Sequence, residues 1–105
     1  MTAIPTAWAV LERAIAQRRP VLARYHGDER ALCPHALGWK HGRAKLLAYQ
    51  SSGPTTRAMP PQQRWRSMFV DELVDVRVAD GPWQSAANYS PTSNCFDQVE
   101  VALGD

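Results

Sequence analysis

Residues 43–50 run Arg-Ala-Lys-Leu-Leu-Ala-Tyr-Gln. Successive side chains of an extended chain point to opposite faces, so this stretch separates into two sets. One face carries Ala44, Leu46 and Ala48, and the other carries Lys45, Leu47 and Tyr49. It is the longest alternating stretch in the chain, and it predicts a strand with one face in a core.

Shorter alternating stretches lie on both sides of this strand. They predict strands at residues 21–25, 30–33, 64–70, 74–78 and 99–103. In the first of these, Val21, Ala23 and Tyr25 would share one face. Pro34 interrupts the second, which favours an edge position or a bulge. Turns are predicted at residues 26–29 and 40–42, a loop at 51–63, and a short turn or single helical turn at 71–73.

Residues 7–18 have helical rather than alternating periodicity. Ala7, Trp8, Leu11, Ala14 and Ile15 fall on one stripe, while Glu12, Arg13 and Gln17 face away. Thr6 is the expected N-cap, and Pro20 is expected to end the helix by restricting Arg19.

A chain of 105 residues with 45% apolar residues is long enough for one domain and too short for two. We predict one domain over residues 1–105: a helix at about 6–19, a barrel at about 21–83, and an extension at 84–105 with one strand. One helix followed by five or six short strands favours a mostly β class and a small closed or half-open barrel.

Two features of composition bear on location. No apolar stretch approaches the roughly 20 residues that cross a bilayer, so no membrane association is expected. Residues 1–10 lack a basic region followed by an apolar one, so a cytoplasmic protein is expected. Cys33 and Cys95 are then expected to be free, partly buried thiols.

The charge is unevenly distributed. Residues 1–66 hold eleven Lys and Arg against three acids, a net charge of +8, and residues 67–105 hold one against seven, a net charge of −6. This asymmetry favours either a basic face that binds phosphates or acidic partners, or two halves that neutralise each other after folding.

Catalytic motifs are absent from the sequence, and an enzyme is not expected. Cys33 and His35 would point to the same side of an extended segment, either as a thiolate with its base or as core residues. His26, Cys33, His35 and His41 could donate to zinc, but their spacing matches no compact site, so we expect no metal and no cofactor.

Binding residues are better represented. Arg64-Trp65-Arg66 places two guanidiniums on one side of a strand and an indole on the other, and Trp39, Lys40 and Lys45 add cations and a stacking surface. The alternative is that Trp39 and Trp65 lie in the core while the arginines are solvated.

Several of these segments, in this order, resemble the WYL domain of bacterial regulators over about residues 10–83. Residues 21–25 resemble its apolar pair and tyrosine, and residues 30–37 its R-x-x-x-P-x-x-L strand. Residues 42–49 align with G-x-W-Y-L-x-A-Y, and residues 66–73 with R-x-F-R-L-D-R-I, followed by a valine-rich strand and Trp83. The family's Trp-Tyr-Leu is here Ala44-Lys45-Leu46, and Glu72 replaces a basic residue.

The resemblance implies an SH3-like or Sm-like barrel that senses a ligand without catalysis. Our leading hypothesis is a regulatory module that binds nucleic acid or a phosphate-bearing nucleotide through Tyr25, Arg30, Lys45, Arg64, Trp65 and Arg66. Only about 20 residues precede the first strand, so we expect a separate protein partner to carry any DNA-binding domain. The alternative is an adaptor or homodimerisation module that uses exposed tryptophans and a barrel edge.

Overall fold

The computed structural model describes residues 6–52, 64–86 and 96–103. Within them the chain forms one helix, six strands and a short 3-10 helix at Val70–Glu72. The elements are α1 (Thr6–Gln17), β1 (Val21–Tyr25), β2 (Asp28–Lys40), β3 (Arg43–Ser52), β4 (Trp65–Phe69), β5 (Leu73–Val78) and β6 (Gln98–Ala102). The predicted class, mostly β with an N-terminal helix, is confirmed.

The strands form one antiparallel sheet in the order β4-β3-β2-β1-β5, and β6 pairs with β2. The first and last strands of this order are joined through only the 3-10 helix Val70–Glu72. Because so short a connection cannot span a flat sheet of five strands, the sheet curls, as in a small barrel. Helix α1 packs against β2 and β5 on the concave side, here called the core face.

The predicted alternation holds in β1 and β3. Ala44, Leu46 and Ala48 belong to the main core, and so do Val21 and Ala23. The rest of that core comes from the helix, β2, β4, the 3-10 helix and the first residue of β5: Trp8, Leu11, Ala14, Ile15, Leu32, Leu37, Met68, Val70 and Leu73.

Pro34 lies inside the long central strand β2, so the edge alternative is wrong and the bulge alternative is right. The pairing of β2 with β3 shifts between Pro34 and Ala36. On its other side β2 pairs with β1 as far as Leu32 and with β6 from Ala36 onward. Pro34 therefore occupies the gap between two neighbouring strands, where its missing N–H disrupts neither of those ladders.

Both tight turns that flank β2 and β3 have positive φ at two successive residues. The values are 52° and 84° at His26-Gly27, and 52° and 75° at His41-Gly42. Two positive φ angles define a type I′ turn, whose twist matches that of the paired strands. The predicted turns are therefore confirmed.

Strand β5 contains a bulge that the sequence pattern did not indicate. Its pairing with β1 shifts beside Asp75, whose φ is +55°. Val78 pairs with Val21 on the core face, whereas Val74 pairs with Arg24 and is 51% exposed. The regular alternation expected over residues 74–78 is therefore wrong, because one extra residue inverts it.

The helix has the predicted stripe, with Trp8, Leu11, Ala14 and Ile15 buried. It ends at Gln17, earlier than expected. Arg19 N–H bonds Ala14 O at 2.9 Å and Arg18, with φ +52°, bonds Ile15 O at 3.2 Å. These two bonds form a Schellman motif, which ends the helix before the restriction that Pro20 imposes on Arg19 is needed. The predicted N-cap side chain of Thr6 lies outside the described residues.

No helix in the described ranges has the length and apolar character to span a membrane.

Candidate functional site

At one end of the core face the side chains change from apolar to polar. The strand register places five side chains there: Tyr25, Arg30, Gln50, Arg64 and Arg66. They continue the faces of Ala23, Leu32, Ala48 and Met68 on β1 to β4. We call this set the arginine site. Cross-strand neighbours on one face have Cβ atoms about 5 Å apart, so the site is continuous across four strands.

Arg30 anchors the site on β2. Its side chain is only 14% exposed, and its Nη1 donates to Gln50 Oε1 at 3.1 Å. Its guanidinium carbon lies 5.2 Å from the centre of the Tyr25 ring. Its Nη2 lies 3.9 Å from Asp28 Oδ2. Within the described residues, Arg30 Nε is a buried donor without an acceptor. A buried unpaired donor on a cation is unfavourable until an acceptor reaches it.

Arg64 and Arg66 come from the start of β4. The Gln50 N–H donates to Arg64 O at 2.9 Å, and Arg66 pairs with Ala48. Both side chains are half-buried, and Arg66 Nη1 donates to Trp65 O at 3.0 Å. Asp71 and Glu72, two acids that follow β4, pair with Arg43.

Tyr25 closes the site on β1. Its ring stacks on His26 at 3.9 Å between centroids. Partial burial raises the pKa of the Tyr25 phenol, and the adjacent Glu72 carboxylate raises this pKa further. His26 Nε2 lies 3.0 Å from Glu72 Oε1, and Arg43 Nη2 lies 3.0 Å from Glu72 Oε2. Hydrogen bonds from His26 and then from Arg43 lower the pKa of Glu72. The residue that departs from the WYL pattern therefore lies beside the predicted tyrosine.

Two predicted ligand residues lie on the other face of the sheet. Lys45 pairs with Phe69, and its Nζ is 4.9 Å from the Phe69 ring centre. Trp65 packs edge-on against Tyr49 at 5.4 Å and against His35 at 4.7 Å. The structure therefore brings together Tyr25, Arg30, Arg64 and Arg66, but not Lys45 or Trp65.

Ion pairs join the basic and acidic halves of the chain. Arg19 pairs with Asp80, Lys40 with Asp97, and Arg43 with Asp71 and Glu72. Arg43 also lies over the Phe69 ring at 3.7 Å. These ion pairs support the interpretation that the two halves neutralise each other after folding, and Arg30, Arg64 and Arg66 lie together at one end of the barrel.

The tryptophans are packed against other rings. Trp39 stacks on Trp8 of the helix at 5.3 Å, and Trp83 lies 4.8 Å from His35. Trp8 is buried, and the other three are half-buried. The tryptophans that the adaptor alternative would use are therefore buried or only partly exposed.

Cys33 and His35 are fully buried. His35 Nδ1 lies 2.7 Å from the carbonyl oxygen of Cys33, so the ring bonds the backbone of Cys33. Burial raises the pKa of the Cys33 thiol and lowers that of His35. An activated thiolate–imidazolium pair would need the opposite shifts. The core interpretation fits these two residues; Cys95 lies outside the described ranges.

The four potential zinc donors do not converge. His26 and His41 occupy the two separate I′ turns, whereas Cys33 and His35 are buried in β2. In the part of the chain that the structure describes, no three His, Cys, Asp or Glu side chains are close enough together to hold a metal ion.

Gln50 is a residue of the arginine site that was not among the predicted ligand residues. It continues the inward series of Ala44, Leu46 and Ala48, so a polar residue at a core position was the available signal. Gln50 is fully buried and bonds Arg30, which orients that guanidinium.

Comparison with known proteins adds no relative: no family model, no curated protein and no solved structure matches this chain.

Proposed function

We propose that this protein is a non-catalytic binding module whose arginine site takes a phosphate-bearing ligand, a nucleotide or single-stranded nucleic acid. The observation that carries the proposal is the convergence of Arg30, Arg64 and Arg66 from two strands on one polar end of the core face. Guanidiniums suit phosphate because they present paired donors to its oxygens.

The surroundings of Arg30 support this assignment. Arg30 is held by Gln50 and by the Tyr25 ring, so its orientation is fixed before a ligand arrives. The buried Nε donor has no acceptor among the described residues. Preorganisation of the Arg30 guanidinium lowers the entropic cost of binding a phosphate. The order of sequence segments that resembles a WYL domain supports the same ligand class.

The position of Tyr25 suggests how a base would be recognised. Its ring and that of His26 form a stacked pair at the border of the site. An aromatic surface beside cations is the usual arrangement for single strands, where stacking contributes roughly 1–3 kcal/mol per base. Glu72 opposes anion binding at this border, which predicts modest affinity.

The test is a titration of the protein into a fluorescently labelled single strand of about 12 nucleotides at low salt, followed by anisotropy. Arg66→Gln should weaken binding and lower the slope of log affinity against log salt by about 0.7. The matched control is Arg24→Gln, because Arg24 is exposed on the opposite face of β1.

Competition separates the ligand sources. Displacement by a mononucleotide but not by inorganic phosphate indicates recognition of the base as well as the phosphate. The proposal fails if binding is absent, if it does not depend on salt, or if Arg24→Gln weakens it as much as Arg66→Gln does.

A further inference from the structure

Residues 83–85 lie across the outer face of β2, away from the arginine site. The Trp83 ring is 4.8 Å from the His35 ring. The Gln84 N–H donates to Cys33 Sγ at 3.3 Å, and Ser85 Oγ lies 2.9 Å from His35 Nε2. Three consecutive residues thus each contact β2 at residue 33 or 35. We call residues 83–85 the clasp.

The hydrogen bonds of His35 define which tautomer its neutral ring adopts. Since the Cys33 carbonyl can only accept, the nearby Nδ1 carries the ring proton. In a neutral ring Nε2 then accepts from the Ser85 hydroxyl. The imidazole is fully buried, with the edge of Trp65 4.7 Å away.

Burial of His35 disfavours a positive charge on its ring more than the hydrogen bond from Nδ1 to the Cys33 carbonyl favours it. Its own strand presents the Cys33 thiol, whose pKa is raised by burial. Strand β4 presents the Trp65 indole, behind which lies the Tyr49 phenol of β3. The clasp presents an indole, an amide and a hydroxyl, and β6 leads to the Leu103 N–H, which bonds His35 O at 2.8 Å. None of these neighbours is a carboxylate.

We propose that the clasp is proton-sensitive: it closes over neutral His35 and is released when His35 takes up a proton. Burial lowers the pKa of His35 in the closed state, whereas an open clasp hydrates the ring and restores its ordinary pKa of about 6.5. The open state therefore binds protons more tightly, so closure is fully favoured above about pH 6.5 and weakens as the pH falls below that value.

Opening would expose Trp65 and the apolar surface of β2 around His35. The clasp would then make this outer face available in a pH-dependent manner, independently of the ligand at the arginine site. The inference does not rest on the proposed function, because the clasp contacts that carry it are made to Cys33 and His35, which are not residues of that site.

Hydrogen exchange of the Gln84 amide in the full chain, measured by NMR at about pH 7.5 and about pH 5, tests the clasp. After correction for intrinsic exchange, the Gln84 amide should be less protected at the lower pH. The loss should be up to about tenfold for each pH unit below the ordinary pKa of His35, until the lower pKa of the closed state is reached. The Leu46 amide in the central sheet should keep its protection. His35→Gln should abolish the pH dependence, whereas His41→Asn, at an exposed turn, should retain it.

Ser85→Ala provides a second variant that leaves the core intact if His35→Gln fails to fold. It should lower Gln84 protection at neutral pH and move the NMR-determined pKa of His35 toward its ordinary value. The proposal is overturned if Gln84 protection in the unmodified chain is the same at both pH values. It is also overturned if the pH dependence survives in His35→Gln, or if Ser85→Ala changes neither quantity.

Discussion

At the scale of single residues, the most informative neighbour of the arginine site is Glu72. Its carboxylate lies between His26 and Arg43 and adjoins Tyr25. A carboxylate beside a phenol disfavours the phenolate, whereas the same carboxylate is stabilised by two cationic or donor partners. The position of Glu72 therefore accounts for its own lowered pKa and, after burial, for part of the raised pKa of Tyr25.

Glu72→Gln should lower the pKa of Tyr25 toward its ordinary value, while burial, the larger cause, keeps part of the shift. Spectrophotometric titration of the phenols, with Tyr25→Phe to assign the signal, measures this change. Asp71→Asn is the matched control, because Asp71 also pairs with Arg43 but does not adjoin Tyr25. An unchanged Tyr25 pKa in Glu72→Gln would show that the carboxylate does not act on the phenol.

Alternation in the sequence predicted which side chains of one strand share a face, but it did not predict how neighbouring strands align. Alternation correctly placed Ala44, Leu46 and Ala48 on one face and Lys45 on the other. It could not show that Arg66 follows the core face while Trp65 turns away, because that depends on the register between β3 and β4. Register is a property of paired strands, which a single strand does not encode.

At the scale of elements, the path of β2 depends on one close contact. Gly38 lies where β6 crosses, and a Cβ there would overlap the Gln98 carbonyl oxygen and lie 2.7 Å from Phe96 Cδ1. Backbone and ring atoms have little room to move away. The absence of a side chain at Gly38 therefore allows β6 to pair with the second half of β2.

Gly38→Ala should lower the free energy of unfolding by about 1–3 kcal/mol, the usual cost of overpacking. Urea denaturation measures the loss, and faster hydrogen exchange at Val99 and Val101 should localise it to β6. Ser67→Ala, at an exposed position on β4, should leave the midpoint nearly unchanged. A Gly38→Ala variant as stable as the unmodified chain would contradict the packing described for β6.

Of the bulges in β2 and β5, only the one in β2 was indicated by the sequence. Pro34 gave a signal because it lacks an N–H, so a bulge was one of two expected outcomes. Asp75 gave none, since a valine at every second position favours a regular strand. Its positive φ arises from pairing with β1, and propensity alone does not reveal such a constraint.

At the scale of the whole molecule, the basic first half and the acidic second half of the chain form ion pairs on folding, and a group of arginines lies at one end of the barrel. Basic residues 19, 40 and 43 pair with acids from the second half, which brings the two halves together electrostatically. The arginine site remains at the end of the barrel where the core face becomes polar. The fold class and the basic character were predictable from sequence, whereas the arrangement of Arg30, Arg64 and Gln50 required the assembled sheet.

The most direct test of the binding proposal is a two-dimensional NMR titration of the full chain with the same short single strand at low salt. The account predicts that the largest shift changes map to residues 25, 30, 50, 64 and 66, and that they diminish together as salt is added. The account is contradicted if the changes are absent, or if they centre on the opposite face at Arg24, Lys45 or Trp65.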